Sequence, residues 1–349
     1  MSGSDPGRKA GAAYGTRRLR VLLWLPVPLL MFWVLRGVPL RDTGRILAGL
    51  TPWRLAALAA VNLAFVAALT LRWVSVLHGL GEPVTMRNLP PLAAARLAGF
   101  AVSYLTPGPQ FGGEPVQLAM ARRRTGLSYA RGAASLVIEK GFDLAGNLAF
   151  IGFGSLALRS LPPAAGGSGN QWTFLSATGL LLGILPLLYL GLVFAGFRPL
   201  SAAMARAIRG PRAKPRLIRL ASFMQEAETD AGLYGKKPAR AAARFVVSFL
   251  AIQGLGILEL WLTMRFLGSP IGFSNTVLLL AGSKLAMYAP LPGGLGALEA
   301  VQRTLLVSLG YEPSLALALS AWVRIRDILF ALAGLAVAAS ASRRPLKLT

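Results

Sequence analysis

The sequence predicts an all-α polytopic membrane protein with about six full transmembrane helices and two re-entrant helical hairpins, arranged as an inverted repeat of eight hydrophobic segments. Three observations predict it. Hydrophobic residues make up 54% of the 349 positions, with a mean hydropathy of +0.57. They gather in Leu-, Ala- and Val-rich runs long enough to cross ~30 Å of hydrocarbon, which takes ~20 helical residues. Finally, one pattern occurs twice, as Tyr104-Leu-Thr-Pro-Gly-Pro-Gln-Phe-Gly-Gly-Glu114 and Tyr288-Ala-Pro-Leu-Pro-Gly-Gly-Leu-Gly-Ala-Leu-Glu299. Proline and glycine break helices, and irregular backbone at membrane depth is tolerated only inside protein or along a watery cavity.

Taken in order, residues 1–20 are a basic segment in which Arg8, Lys9, Arg17, Arg18 and Arg20 face only Asp5, which places the N-terminus in the cytoplasm. The first apolar run, Val21 to Val38, is followed by no small-residue cleavage site, so it is expected to be a retained span. Further crossings are expected at 53–77, 128–158, 172–196, 240–266 and 314–341, each from continuous apolar character. Segments 89–122 and 274–310 hold the Pro/Gly breaks and read as hairpins of two half-helices. Each half of the single membrane domain, 21–341, then runs span, span, hairpin, span. Repeat one is 21–158 and repeat two is 172–341. Three crossings per half set the halves in opposite orientations, with the two hairpins meeting near the midplane and Arg96 and Lys284 on one cavity.

Loop charge agrees with this order. The Pro162-Pro163-Ala-Ala-Gly-Gly-Ser-Gly linker carries no charge and reads as external, whereas the 197–239 loop carries Arg198, Arg206, Arg209, Arg212, Lys214, Arg216, Arg219, Lys236 and Lys237 and reads as cytoplasmic. A helix is expected there from Leu217 to Leu233. The 342–349 tail, with Arg343, Arg344 and Lys347, is expected on the same side. Arg36, Arg41, Arg45 and Arg54 disagree, falling on the outer side with only Asp42 against them. Trp24, Trp33, Trp53, Trp73, Trp172, Trp261 and Trp322 lie near span ends and read as interfacial anchors.

Composition also excludes chemistry. There is no cysteine and one histidine, His78, so disulfides, thiolate sites and histidine metal clusters are not expected, and neither is a cofactor. A net charge of +24 would suggest nucleic acid in a soluble protein, but here it collects in loops and sets orientation instead.

A charge in hydrocarbon costs at least ~2.5–3.5 kcal/mol, so buried ions face a cavity or a partner. In the first half Arg96 precedes the break, Glu114 follows Gly112-Gly113, and Glu139 and Asp143 share one helix face with Lys140 beside them. In the second half Lys284 and Tyr288 lead into Gly293-Gly294, Glu299 lies beyond, and Arg324, Arg326 and Asp327 sit in the last span. Half-helix N-termini after each Gly-Gly, together with Arg96, Lys284 and Arg324, suit the phosphate of an anionic lipid headgroup. The carboxylates suit cationic or hydroxyl groups. The competing reading is internal pairing, Arg96 with Glu139 and Arg324 with Glu299, that locks helices and touches no ligand. Hydrolysis is not expected, because no histidine or metal cluster accompanies the carboxylates.

At Arg96, Tyr104, Pro107, Gly112-Gly113-Glu114-Pro115, Glu139, Asp143, Pro290-Leu-Pro292-Gly293-Gly294-Leu-Gly296-Ala-Leu-Glu299, Arg324 and Asp327, the chain resembles the integral-membrane flippase-like family, named for the transmembrane region of lysylphosphatidylglycerol synthase/flippase proteins. The resemblance implies movement of a polar-headed lipid between leaflets. The synthases of that family also carry a soluble C-terminal aminoacyl-transfer domain, for which these residues leave no room, so synthase activity is not expected. Three alternatives stay open. They are a membrane accessory protein that partners a lipid- or glycan-synthesis enzyme, a membrane-embedded lipid-modifying enzyme, and a solute or ion transporter.

Overall fold

The computed structural model describes residues 40–106, 112–156, 169–208, 215–234 and 238–342. The expected first span, the basic N-terminus, Pro107, the external linker, part of the basic loop and most of the C-terminal tail lie outside these residues. All regular structure among the described residues is helical.

Proline opens many of the helices, because its missing N–H costs nothing in a first turn and its fixed φ suits one. The elements are α1 Leu40–Ala48, α2 Pro52–Gly79, α3 Leu89–Leu105, α4 Glu114–Thr125, α5 Tyr129–Leu156, α6 Gly169–Phe194, α7 Pro199–Ala207, α8 Pro215–Tyr234, α9 Pro238–Phe266, α10 Phe273–Ala286, α11 Ala297–Ser308 and α12 Pro313–Ser342. Both breaks fall where the Pro/Gly patterns put them, between α3 and α4 and between α10 and α11. The four flanking helices have 17, 12, 14 and 12 residues. At ~1.5 Å per residue none of them spans ~30 Å of hydrocarbon alone.

By length and composition, α2 and residues Ala243–Phe266 of α9 are apolar enough to cross a membrane, and Ile184–Phe194 of α6 with α7, bent by 91°, make a broken span or a re-entrant loop. The long helices α5 and α12 carry charge clusters at their centres, and these clusters form much of the site described below. The helices α1, α7 and α8 fall outside the eight expected segments, although α8 matches the helix read at Leu217–Leu233.

Of three apolar clusters among the described residues, two divide between the halves of the chain. Trp73, Leu77, Leu92, Leu118, Leu127 and Leu136 form one within the first half. Leu260, Met264, Leu279, Leu306, Leu315 and Leu319 form the other within the second. The outer surface is also apolar, with Leu63, Phe153, Leu185, Val247, Leu250 and Leu329 exposed. An apolar outside is what lipid requires, since helices gain nothing by hiding leucine from lipid tails and associate through close packing and polar contacts.

The halves are cross-packed. Helix α2 packs on α9, α3 of the first hairpin packs on α12, and α10 of the second hairpin packs on α5. Each hairpin therefore rests on the final helix of the other half.

Two local features answer the sequence. Arg54, one of the basic residues on the unexpected side, donates to the Phe266 carbonyl at 3.0 Å and lies 5.7 Å from the Trp53 and Phe266 rings. It neutralises the carbonyl end of α9, a job independent of orientation signals. Trp73 corrects an expectation. It is fully buried, its indole N–H donates to Ser135 Oγ at 2.8 Å, and the Arg96 guanidinium lies 5.3 Å from its ring. It is a core residue, not an interfacial anchor.

Candidate functional site

Residues of both halves line a cavity of about 420 Å³, within the ~300–1,000 Å³ typical of small-molecule sites. Both hairpins contribute to its wall. Among the residues singled out from sequence, Arg96, Gly113, Glu114, Lys140, Asp143, Lys284, Tyr288, Arg326 and Asp327 line it. Tyr104, Gly112, Glu139, Gly293, Gly294, Glu299 and Arg324 do not, and they serve instead in the pairs and breaks that shape the wall. Arg96 and Lys284 share one cavity, as the inverted-hairpin reading expects.

The first half supplies a four-membered ion cluster. Glu139 and Asp143 lie one turn apart on α5, as their spacing dictates. Arg96 of α3 donates to Glu139 at 2.8 Å, the pair named in the competing internal-pairing reading. A second cation was missed. Arg72 of α2 donates to Glu139 at 3.1 Å and grips Asp143 through two bonds of 2.7 Å. Arg72 and Glu139 are each only 2% exposed. The forked guanidinium geometry lets one arginine serve two carboxylates. The signal was present, since Arg72 sits inside the apolar run 53–77, but near its end, where a basic residue passes for a flanking charge.

The second half answers with the signs exchanged. Here the second helix, α9, carries the carboxylate, Glu259, and the last helix carries the cation. Arg326 of α12 donates to both Glu259 oxygens, at 2.6 and 2.7 Å, and to its neighbour Asp327 at 2.8 Å. Glu259 also accepts from Asn62 of α2 at 3.3 Å, which ties the halves together.

The breaks are stapled by their own glutamates. Glu114 accepts the Gly112 N–H at 2.7 Å and pairs with Lys140 at 2.9 Å. Glu299 reaches back to the Gly296 N–H at 2.8 Å and pairs with Arg324 at 2.6 Å, the other pair of that competing reading. The Gly113 N–H is taken by Ser103 Oγ at 2.9 Å and the Gly294 N–H by the Leu291 carbonyl at 3.0 Å. These backbone donors, expected to face phosphate, are thus engaged within the protein.

Gly293 and Gly294 have φ of 57° and 61°, a left-handed conformation that glycine adopts without steric cost. That turn aims both carbonyls at Arg324, which donates to Gly293 O and, at 3.1 Å, to Gly294 O. Arg324 also reaches Tyr104 Oη at 3.4 Å. One guanidinium on α12 therefore touches both hairpins.

Lys284 of α10 is held differently. Its Nζ donates to Asn147 Oδ1 of α5 at 3.0 Å and lies 5.9 Å from the Phe150 ring centroid. Among the described residues no group of three or more His, Cys, Asp or Glu side chains could hold a metal ion.

Comparison with known proteins matches residues 19–334 to the family described as the lysylphosphatidylglycerol synthase TM region. A UPF0104 membrane protein of Pyrococcus horikoshii is 26% identical over 263 residues, covering 72% of this chain and 75% of that protein. No solved structure matches the chain.

Proposed function

We propose that this chain, which belongs to the lysylphosphatidylglycerol synthase TM-region family, is a lipid translocase that carries a polar-headed phospho- or glycolipid across the cytoplasmic membrane. The headgroup enters the cavity while its tails stay in lipid. The observation that carries this reading is the joint lining of one cavity by both broken-helix hairpins, with ionic side chains from each half on its wall. The cross-packing of hairpins and the exchanged charge pairs support an inverted repeat of 21–158 and 172–341, in which six crossings and two re-entrant hairpins leave both termini in the cytoplasm. Rocking of one repeat against the other then alternates access. In this reading Arg96, Lys284 and the carboxylates of Glu114, Asp143 and Asp327 meet the headgroup, while Glu139, Glu299, Arg324, Tyr104 and the paired glycines set the wall. The protein binds membrane lipid, uses no cofactor and catalyses no covalent step.

The test is reconstitution in vesicles with fluorescent phosphatidylglycerol and a membrane-impermeant quencher. Wild-type protein should equilibrate the probe between leaflets, and Glu139→Ala at equal abundance should slow it severely. Undiminished exchange in that variant removes the carboxylate from the mechanism, and no exchange by the wild type over protein-free vesicles removes the reading. Leaflet-resolved lipidomics of cells with and without the protein would name the lipid.

One observation favours a second reading. Most intramembrane ions near the cavity are neutralised by partners within the protein, as a rigid scaffold for a lipid- or glycan-synthesis enzyme requires. Co-purification of a synthesis enzyme, with no lipid movement by the purified protein, would support it.

A further inference from the structure

We propose that Lys284, together with the side-chain amides of Gln117 and Gln253 and the Nε of Arg96, forms a phosphate-binding pole of the cavity. The inference rests on the translocase reading and assigns the part of the headgroup that this wall holds.

The argument begins with the cations on the wall, which are Arg96, Lys140, Lys284 and Arg326. Arg96 faces Glu139 at 2.8 Å, Lys140 faces Glu114 at 2.9 Å, and Arg326 faces Glu259 at 2.6 Å. Lys284 has a neutral amide instead, Asn147 Oδ1 at 3.0 Å, and no carboxylate at ion-pair distance among the described residues. Asp143, which acts on it from farther off, is already gripped by Arg72. A cation that faces a cavity inside a membrane protein with no carboxylate at ion-pair distance suits an anion.

The second observation is independent of charge. Arg96 Nε, Gln117 Nε2 and Gln253 Nε2 are buried donors with no acceptor, and all three side chains line this cavity. Gln117 is 8% exposed and Gln253 5%. Buried donors are rarely left unpaired. These residues belong to α3, α4 and α9, and Lys284 belongs to α10, so four helices bordering the cavity carry a donor that lacks an acceptor or a charge partner. A tetrahedral oxyanion presents acceptors in that many directions, whereas a carboxylate offers only one plane. A phosphate group satisfies the lysine charge and the idle N–H groups together.

The test is native mass spectrometry of the full chain in detergent, titrated separately with phosphatidylglycerol, diacylglycerol and inorganic phosphate, for wild type, Lys284→Met and the double variant Gln117→Leu/Gln253→Leu. The expected result is phosphatidylglycerol retention that falls about tenfold or more in Lys284→Met, as for loss of a charged hydrogen bond, and diacylglycerol retention that does not change. The glutamine double variant should melt higher than wild type, because it removes buried unpaired donors, yet bind phosphatidylglycerol more weakly. That opposition marks a ligand site and does not depend on Lys284→Met folding. Inorganic phosphate that binds wild type as tightly as the lipid and is lost in Lys284→Met keeps the phosphate pole but overturns its assignment to a lipid. Equal phosphatidylglycerol binding by all three proteins overturns the proposal, while vesicle exchange, measured separately, leaves the translocase reading standing or not.

Discussion

The ring of Tyr104, at the end of the first hairpin's entry helix, lies against Gly293 of the second hairpin, where an added Cβ would sit 3.1 Å from Cε2 and Cζ. Arg324 secures the meeting by donating to both residues. The two breaks thus touch through a flat ring and a residue with no side chain, so Gly293→Ala should both crowd Tyr104 and strain a backbone at φ 57°. The expected cost is about 1–3 kcal/mol of stability, read as a lower melting temperature in detergent, and Tyr104→Ala on the same background should recover part of it.

Gly113→Ala should be worse. A Cβ there would lie 1.8 Å from the Gly99 carbonyl oxygen, a backbone atom that cannot swing aside. The variant is expected to lose the α3–α4 packing, seen as loss of a monodisperse species on size-exclusion chromatography.

Arg72→Leu tests the buried cluster. It leaves Asp143 without its bidentate partner and Glu139 with Arg96 alone, at an expected cost of about 3–5 kcal/mol, the usual penalty for orphaning a buried ion. Asp143→Asn in the same chain should return part of that loss, and a double-mutant cycle on thermal stability measures how much.

Arg324→Lys keeps the charge but not the fork. A lysine cannot serve Glu299, two glycine carbonyls and Tyr104 from one planar group. Lipid exchange in vesicles should fall several-fold, with a smaller loss of stability than Arg324→Leu. Equal behaviour of the two variants would mean that the fork has no special role.

Glu228 provides the contrast. This buried carboxylate on α8 accepts the Leu200 N–H at 2.9 Å, the Ser201 N–H at 3.0 Å and Ser201 Oγ at 2.5 Å, capping α7. Glu228→Ala should cost roughly 1–2 kcal/mol locally, seen as faster proteolysis of the basic loop with lipid exchange unchanged.

The apolar runs and the two Pro/Gly breaks were legible because hydrocarbon imposes a length and proline imposes a break wherever they occur in the chain. The pairs Arg96–Glu139 and Arg324–Glu299 were legible too, as the reading that competes with headgroup binding, because they lie only 43 and 25 residues apart within one half. Arg72 was not, since its partners lie 67 and 71 residues away and only the folded chain brings α2 against α5. Glu259 escaped for the same reason, reaching Arg326 across 67 residues. The engaged N–H groups at the breaks depend on side-chain rotamers that spacing does not reveal. Trp73 was misread because distance from a span end measures depth, not the direction in which a side chain faces.

The cross-packing of hairpins also has a consequence for how the chain is made. Tyr104 emerges 220 residues before Arg324, an interval of roughly 11–44 s at ~5–20 residues per second. For that time the first hairpin exists without α12, the helix it packs on. Neither half completes its own interior, so fragments cut within the basic loop should be unstable apart and should assemble when made together.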